Sequence, residues 1–584
     1  MTLESACRGG SLRPSHIWNR EGFAPRYRRA LLRASAFVLV AASLVGATRE
    51  PVRTKQAMVV ATEQNAVRVG VEVLRSGGNA IDSAIAVGFA LAATYPRAGN
   101  LGGGGFMLIR FADGKTTFID FRETAPAAAT RDMYLDAEGK PTDDSVIGRR
   151  AAGVPGTVRG FEVAWRKYGS KKWRELVDPA QDLAEKGFSL TRDTVEAMEA
   201  SERLPQFPES KRIFLDGGAG FEPGDRLRQR DLGRTLRRIA RRGADEFYVG
   251  ETAKRIASDM ESHGGLITLN DLEAYKPVER EPLRGTYRDL EIWSAPPPSS
   301  GGAGVIQILN MLEGSSYAKA GAGSAATIHY VAETMRRFFA DRAEYFGDAD
   351  FVDIPLGQLL DKGYAVRRRK SIDPLRASSS RSVGAGTPLS IEATETTHYS
   401  VVDAQGNAVS VTYTLNGNFG SGVTVPGTGV LLNNEMDDFT AKPGEPNMFG
   451  LLQSEKNAIE PGKRPLSAMS PTIITKQDKL FLVLGAPGGP TIISTVLQTI
   501  LNVVDHGMNL RQAVDYPRFH HQWMPDELRV EEHGLSPDTH SLLQERGHKL
   551  RSVETMGRVM AIQVGDGFLL GAADARSEGL AAGY

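Results

Sequence analysis

One segment of the chain carries both a candidate nucleophile and a means of activating it. Residues 396–403 are predicted to form a strand from the first residue, directly after a Ser- and Gly-rich passage at 377–395. A second strand at 408–415 follows a turn-forming tetrapeptide, so the two strands are expected to form a hairpin. If the bond between Glu395 and Thr396 is cut, Thr396 gains an α-amino group that can deprotonate its own hydroxyl. An uncut loop before an ordinary hairpin is the alternative for this segment taken alone.

The order of short motifs along the rest of the chain favours the cut. The segment beginning at Thr396 resembles the start of the small subunit of γ-glutamyltranspeptidases, a family of the N-terminal-nucleophile hydrolase superfamily. The resemblance covers nearly everything after about residue 55. It is carried by nine motifs in family order: LGGGGFM at 101–107, DFRE at 120–123, PPPSSGG at 296–302, ADRAEY at 340–345, TLN at 414–416, NNEMDDF at 433–439, RPLS at 464–467, PGG at 487–489 and AGY at 582–584.

The resemblance assigns the acyl-transfer chemistry to the hairpin. It implies that Thr396 is the nucleophile and that Thr414, on the paired strand, hydrogen-bonds the nucleophile's hydroxyl. An α-amine, with a pKa of about 7.7–8.0, suits the role of base near physiological pH. Thr397 should point to the opposite face of its strand, where we expect it to pack rather than react.

Two glycine clusters receive different interpretations. Gly488 and Gly489 lie between a predicted strand and a predicted helix, where two backbone N–H groups could face a developing oxyanion. The resemblance makes them the oxyanion hole, and a tight turn that needs glycine is the alternative. The cluster at 102–105 precedes a strand and lacks the lysine of a phosphate loop, so nucleotide binding is not expected. We interpret it as a close-packed turn near the site.

A γ-glutamyl substrate ends in a free amino acid head, which needs a cation for its carboxylate and anions for its ammonium. Guanidinium binds carboxylate with two parallel hydrogen bonds, which favours Arg122 for the first task. The resemblance implies that the remaining contacts come from a Ser467 hydroxyl at the carboxylate and from Asn416, Glu435 and Asp438 around the ammonium. The alternatives are a salt bridge from Arg122 to a neighbouring carboxylate in 120–123 and a solvated turn for the acidic pair.

Two positions depart from the family pattern, and one segment matches a variable feature of it. Many members carry a second serine where this chain has Ala468, so one hydroxyl contact to the substrate head is expected to be missing. Glu435 stands where bacterial relatives often have glutamine, and a carboxylate there should favour an ammonium at least as well. Residues 440–451 match a loop that covers the pocket in some members, which suggests a lid with Phe449 near the entrance.

Periodicity and capping residues predict strands at both ends of the chain and a helical middle from about 149 to 347. This arrangement indicates one sheet system built from both halves, and the resemblance implies an α+β four-layer αββα sandwich. The predicted elements are a strand at 58–62, helices at 64–75 and 79–93, a strand at 106–111, a long helix at 325–345, strands at 472–475 and 480–484, and helices at 492–503 and 537–546.

The N-terminus has the form of a secretory signal, with arginines before a short apolar run at 34–46 and small residues at 45–47. We therefore divide the chain into a signal at 1–47, a large subunit at 48–395 and a small subunit at 396–584 that stay paired as a heterodimer. An uncleaved anchor is the alternative for the first segment. The only cysteine, Cys7, would leave with the signal, so the exported protein would contain no disulfide.

The charge composition of the chain argues against nucleic acid as a partner. The 70 Lys and Arg residues equal the 70 Asp and Glu residues, which leaves no net field to attract nucleic acid. The adjacent His520 and His521 diverge too much to share a metal, and we predict neither metal nor cofactor.

The combined evidence predicts an exported γ-glutamyltransferase that acts on glutathione and similar compounds and passes the γ-glutamyl group to water, an amino acid or a dipeptide. The alternatives are a related acylase for glutaryl-cephalosporins or poly-γ-glutamate, and an uncleaved, inactive binding protein.

Overall fold

The computed structural model describes residues 50–383, 396–565 and 567–584. The proposed signal at 1–47, with Cys7, lies outside the described residues, and so does the part of the Ser- and Gly-rich passage from 384 to Glu395. Within the described parts, no helix has both the length and the apolar character that crossing a membrane requires.

Runs of helices and runs of strands follow one another along the chain. The helices are α1 Gln64–Arg75, α2 Ala80–Thr94, α3 Thr157–Tyr168, α4 Trp173–Lys186, α5 Arg192–Glu199, α6 Pro208–Phe214, α7 Arg230–Arg242, α8 Asp245–Tyr248, α9 Glu251–Ser262, α10 Leu269–Ala274, α11 Gly301–Leu312, α12 Ala325–Tyr345, α13 Leu356–Leu359, α14 Lys362–Lys370, α15 Ser380–Val383, α16 Thr491–Val504, α17 Leu510–Asp515 and α18 Pro537–Glu545. The strands are β1 Val52–Thr54, β2 Met58–Ala61, β3 Gly104–Arg110, β4 Thr116–Asp120, β5 Phe188–Ser189, β6 Arg226–Leu227, β7 Val278–Arg280, β8 Leu283–Tyr287, β9 Leu290–Ser294, β10 Thr397–Val402, β11 Ala408–Thr414, β12 Thr424–Val425, β13 Val430–Leu431, β14 Thr472–Lys476, β15 Lys479–Gly485, β16 Phe519–His520, β17 Leu528–Glu531, β18 Leu550–Val553, β19 Met560–Gly565, β20 Phe568–Ala573 and β21 Leu580–Gly583.

Two seven-stranded antiparallel sheets dominate the described residues. Sheet I has the strand order β1-β20-β19-β15-β14-β9-β8, and sheet II has the order β21-β2-β10-β11-β3-β4-β7. The predicted hairpin is therefore β10 and β11 at the centre of sheet II, paired from Thr397 opposite Tyr413 to Val402 opposite Ala408. Each sheet contains strands from before and from after Thr396.

Alternation of side chains in sheet II creates two cores. In β2, Met58 and Val60 pack into the core shared with sheet I and the helices α11, α12 and α16. Val59 and Ala61 point to the other face, into the core formed with α1, α2, α4 and α7. Helices thus cover the outer face of each sheet, and the four-layer αββα sandwich is confirmed.

Local signals in the sequence located the first helices well. Helix α1 has the predicted bounds and is followed by Gly77 in the left-handed region, at φ 88°. Asn79 and Asp82 form a capping box at the start of α2, whose fifteen residues are all buried, as its apolar circumference suggested.

Two expectations about the elements were incomplete. Strand β3 begins at Gly104, two residues before the predicted strand, so only Gly102 and Gly103 of the glycine cluster form a turn. The predicted helical middle also contains β7, β8 and β9, which complete one edge of each sheet. Their short, half-exposed patterns give weak strand signals, and pairing with strands distant in sequence stabilises them.

Candidate active site

Thr396 lies at the centre of sheet II, one residue before β10, and is buried with 5% of its surface exposed. Because Thr397 pairs with Tyr413, extending the register by one residue sets Thr396 opposite Thr414. Thr397 faces away and shares a 2.8 Å hydrogen bond with the hydroxyl of Thr62. The hairpin thus brings together the predicted nucleophile and its predicted hydroxyl partner.

Close packing against the glycine turn holds Thr414 in place. The Nδ2 group of Asn100 donates to the Thr414 carbonyl at 2.8 Å, and its Oδ1 accepts the Gly103 amide at 3.0 Å. A Cβ on Gly103 would lie 2.1 Å from the same carbonyl, so only glycine fits there. Sequence reasoning placed this turn near the site but missed Asn100, whose only signal was its position beside the glycine cluster.

The backbone at Gly488 and Gly489 has the geometry of an anion-binding turn. Both residues have positive φ, at 131° and 53°. Their carbonyls accept the first amides of helix α16, whereas neither of their own N–H groups donates to another described residue. Since helix α16 begins at Thr491, these amides also lie at the positive end of its dipole. The arrangement can stabilise negative charge on a substrate oxygen.

Arg122 is fully buried and joins two acidic residues that are distant in sequence. Its Nη1 group donates to Glu435, and its Nη2 group donates to Asp438 at 2.5 Å. The nearest oxygen of Glu123 is 3.7 Å away, and Asp120 accepts the backbone amide of Arg122 rather than its guanidinium. The two halves of the predicted clamp for an amino acid head therefore meet in one cluster. This arrangement excludes the alternative in which Arg122 pairs only with the neighbouring carboxylates of Asp120 or Glu123.

Glu123 is a buried carboxyl with no hydrogen-bond partner on either oxygen among the described residues. Burial raises the pKa of Glu123 from its usual 4.5 to about 8, against the opposing attraction of Arg122. At neutral pH the group is therefore protonated, which leaves Arg122 to the carboxylates of Glu435 and Asp438.

Ser467 and Asn416 line the same pocket. The Ser467 Oγ atom accepts the Met469 amide at 3.1 Å, so its hydroxyl proton is available to a ligand. Asn416 adopts φ 78°, and its Nδ2 group donates to the Asn434 carbonyl at 3.0 Å. Ala468 also lines the pocket, at the position where a second hydroxyl was expected to be missing.

The segment 440–451 covers one side of the pocket, which it lines with Phe449 and Leu451. The Met448 amide donates to Asp437 at 2.9 Å, and Gln522 donates to the Phe449 carbonyl at 3.2 Å. These contacts hold the segment against the acidic turn, in the position expected of a lid.

One pocket unites most of the predicted site. It is lined by eight of the nine residues proposed from the sequence, namely Thr396, Thr414, Gly489, Arg122, Asn416, Glu435, Asp438 and Ser467. Gly488 lies beside it in the same turn. Arg342 also lines the pocket, although sequence reasoning gave it no role. Arg342 belongs to the motif at 340–345, but a helical pattern does not indicate that this arginine turns inward.

The side chains of the adjacent His520 and His521 make hydrogen bonds to different groups. His520 bonds Ser494 at 2.9 Å and Gln522 at 3.1 Å, while His521 accepts the Trp523 amide at 3.1 Å. Among the described residues, no group of three or more His, Cys, Asp or Glu side chains is arranged to hold a metal ion.

Comparison with known proteins gives concordant matches. A family model described as Gamma-glutamyltranspeptidase matches residues 66–584. The glutathione hydrolase proenzyme of Escherichia coli (strain K12) is 51% identical over 539 residues, which cover 91% of this chain and 93% of that protein. The structure of a cephalosporin acylase from Bacillus halodurans matches with a TM-score of 0.80 at 28% identity, covering 92% of this chain and 97% of that chain. A Helicobacter pylori gamma-glutamyltranspeptidase chain matches with a TM-score of 0.54 at 45% identity, covering 54% of this chain and 92% of that chain.

A four-layer αββα sandwich with a threonine at the head of a central strand has the architecture of the N-terminal-nucleophile hydrolases. The family match extends over most of the chain, and the similarity to the Escherichia coli protein is equally extensive. The chain belongs to the gamma-glutamyltranspeptidase family.

Proposed function

We propose that this protein is a γ-glutamyltransferase and glutathione hydrolase, made as a precursor and activated by cleavage before Thr396. The observation that carries the proposal is the pocket itself. It combines a threonine at a strand head, amides suited to an oxyanion and a buried cluster of one arginine with two carboxylates. That cluster fits the zwitterionic head of a γ-glutamyl group.

Self-cleavage begins with the hydroxyl of Thr396 in the uncut chain. Its oxygen attacks the Glu395 carbonyl, the peptide C–N bond breaks and an ester replaces the amide. The hydroxyl proton passes to the nitrogen, so that the amine of Thr396 is free at this stage. Water then hydrolyses the ester, which releases a new carboxylate on Glu395 and restores the hydroxyl of Thr396. The cross-strand position of Thr414 supports a role in holding this hydroxyl.

Catalysis uses the freed amine as the base. The amine takes the hydroxyl proton as Thr396 Oγ attacks the γ-amide carbon, and the amides of Gly488 and Gly489 stabilise the oxyanion. The proton passes to the leaving nitrogen, so that cysteinylglycine departs from glutathione and a γ-glutamyl ester remains on Thr396. Attack by water yields glutamate, whereas attack by the amine of an amino acid or dipeptide yields a new γ-glutamyl compound.

Mass spectrometry of the purified protein tests this function directly. We expect two chains, the smaller of which runs from Thr396 to Tyr584, together with release of glutamate from glutathione. Thr396→Ala should remain one chain without activity, because it lacks the attacking oxygen. Thr397→Ala removes the neighbouring hydroxyl, which bonds Thr62 instead, and should still be cleaved. Two chains from the Thr396→Ala protein would refute the assignment.

An acylase for glutaryl side chains is the second candidate, favoured by Ala468 and by the structural similarity to the cephalosporin acylase. A glutaryl group has no ammonium, so it would leave Glu435 and Asp438 without a cationic ligand group. We therefore expect much faster turnover of a γ-glutamyl anilide than of the glutaryl anilide. The reverse preference would favour the acylase.

Export to the periplasm or medium is proposed from the N-terminal sequence, in which arginines precede a short apolar run. Cell fractionation and N-terminal sequencing of the large chain should find it outside the cytoplasm and beginning near Thr48.

A further inference from the structure

The chemistry proposed above uses none of the residues 519–523, although they lie against the segment that covers the pocket. Gln522 is buried, with 3% of its surface exposed. Its Nε2 group donates to the Phe449 carbonyl at 3.2 Å and to the Gly450 carbonyl at 3.3 Å. Both carbonyls belong to the segment 440–451, and the Phe449 side chain lines the pocket. Gln522 therefore binds the part of this segment that faces the site.

The two carbonyls determine the orientation of the Gln522 amide. A carbonyl oxygen can only accept a hydrogen bond, so the NH2 group of Gln522 must face the segment and its Oε1 atom must face His520. The His520 Nε2 atom lies 3.1 Å from that Oε1 atom. Because an amide oxygen also only accepts, Nε2 carries a proton. His520 is therefore the donor that keeps the amide in this orientation.

The other ring nitrogen connects His520 to helix α16. Its Nδ1 atom lies 2.9 Å from the hydroxyl of Ser494, in the first turn of that helix. Burial and, next, the charge of Arg529 lower the pKa of His520 well below its usual 6.5, so the ring is neutral at neutral pH. A neutral ring with its proton on Nε2 accepts at Nδ1, so the Ser494 hydroxyl donates to it. Hydrogen bonds thus run from the segment over the pocket to the helix that follows the turn at 488–489.

We propose that Gln522, oriented by His520, is a positioning residue that holds the segment 440–451 over the pocket while the γ-glutamyl substrate is bound. The assignment rests on the proposed function and gives the buried His520 a role in it. On the opposite side of the segment, the Met448 amide donates to Asp437 at 2.9 Å. The segment is therefore held from two sides.

Loss of the Gln522 contact should weaken substrate binding more than it slows the chemical step. Phe449 and Leu451 form one side of the pocket, so a substrate loses that side whenever the segment moves away. The apparent affinity falls with the fraction of molecules in which the segment is in place. The nucleophile at Thr396 is not changed by this motion, so kcat should be nearly preserved.

Steady-state kinetics with γ-glutamyl-p-nitroanilide tests this separation. Gln522→Ala removes two neutral hydrogen bonds, so we expect KM to rise by about tenfold or more with kcat nearly unchanged. Gln229→Ala is the matched control, because Gln229 is a glutamine of similar burial, at 4%, that donates to the Ala93 carbonyl at 2.6 Å instead. Its KM should match that of the wild type.

Chymotrypsin measures the position of the segment without any need for activity. Phe449 is buried, with 4% of its surface exposed, and Gln522 binds the carbonyl of the bond that the protease would cut. In Gln522→Ala we expect cleavage after Phe449 to be about tenfold faster than in the wild type, since local opening exposes this bond more often. Mass spectrometry identifies the products 396–449 and 450–584.

Two substitutions of His520 test the assigned proton. A glutamine side chain can place an N–H donor near the position of Nε2, whereas an asparagine side chain reaches only about as far as Nδ1. His520→Gln should therefore keep KM close to that of the wild type. His520→Asn should behave like Gln522→Ala in both KM and chymotrypsin cleavage.

The outcomes that overturn the proposal are distinct. A lower kcat at unchanged KM in Gln522→Ala would mean that Gln522 supports the oxyanion turn through helix α16. Unchanged resistance to chymotrypsin at Phe449 would mean that other contacts hold the segment. If Gln522→Ala does not split into two chains, Gln522→Met decides by the same measurements, because it keeps the length of the side chain without the donor. Failure of the proposed function is distinguishable, since the wild-type protein would then not act on the γ-glutamyl anilide.

Discussion

At the scale of single residues, the site depends on how buried charges are shared. Arg122 holds two carboxylates with separate nitrogens, and a lysine could not reproduce that fork. We expect Arg122→Lys to raise KM for γ-glutamyl substrates by roughly tenfold or more, with a smaller effect on kcat. Steady-state kinetics measures both.

The matched control for this change is Arg131→Lys, which alters an arginine that holds Glu455 at 2.7 Å near the surface. Its kinetics should match the wild type. Unchanged kinetics for Arg122→Lys would remove Arg122 from the substrate site.

Glu123 makes stability depend on pH in a defined direction. Its folded pKa of about 8 exceeds the usual 4.5, so between these values the folded state holds a proton that the unfolded state releases. The contribution of Glu123 to the free energy of unfolding is therefore complete below the lower pKa. It falls by ~1.4 kcal/mol per pH unit as pH rises between the two pKa values. The Glu123→Gln side chain cannot titrate. The free energy of unfolding of this variant should therefore increase relative to that of the parent protein as pH rises from about 4.5 to about 8.

Denaturant midpoints at about pH 5 and about pH 8, on the Thr396→Ala background, measure this difference on a single chain. The exposed Glu138→Gln serves as control and should show no such trend. If the difference in denaturant midpoint between Glu123→Gln and its parent is the same at both pH values, Glu123 is ionised in the folded protein.

At the scale of elements, the turn before helix α16 aligns two amides by adopting positive φ. A Cβ on Gly488 would meet the Thr491 hydroxyl at 2.5 Å, and φ 131° disfavours any side chain. Gly488→Ala should therefore move the turn and lower kcat by about tenfold or more, with little change in KM. The decrease approaches that caused by removing one hydrogen-bond donor from an oxyanion hole.

Gly507→Ala is the control, since Gly507 also has positive φ, at 64°, but a Cβ there would contact nothing within 4 Å. It should keep full kcat despite some loss of stability. Equal kcat for both variants would argue against Gly488 in the oxyanion hole.

At the scale of the whole molecule, both sheets interleave strands from the two sides of the proposed cut. In sheet II, β10 lies between β2, from before Thr396, and β11, from after it. In sheet I, β14 pairs with β9 in the same manner. Separating the chains would require unpairing both sheets and exposing the core between them.

We therefore expect the cleaved chains to elute together in size-exclusion chromatography and to separate only in denaturant. The uncut Thr396→Ala protein should elute at the same volume. Separation of the two chains under native conditions would contradict the interleaved topology.

Some features of this protein are determined by residues close together in the sequence. The hairpin at Thr396, the capping box at Asn79 and the 325–345 helix depend on local turns, caps and periodicity, and the structure agrees with each. Family motifs also identified eight residues that share the pocket. These signals are readable because neighbouring residues alone decide them.

Tertiary structure decided the rest, because the relevant contacts join distant residues. Arg122 meets Glu435 and Asp438 across 313 and 316 positions of sequence, so their pairing depends on how the sheets and loops pack. The edge strands β7 to β9 likewise form only against partners elsewhere in the chain. Arg336 on helix α12 likewise pairs with Asp526, 190 positions away, only because that part of the chain packs against the helix. A sequence pattern records the residue type, whereas the fold sets its burial and its neighbours.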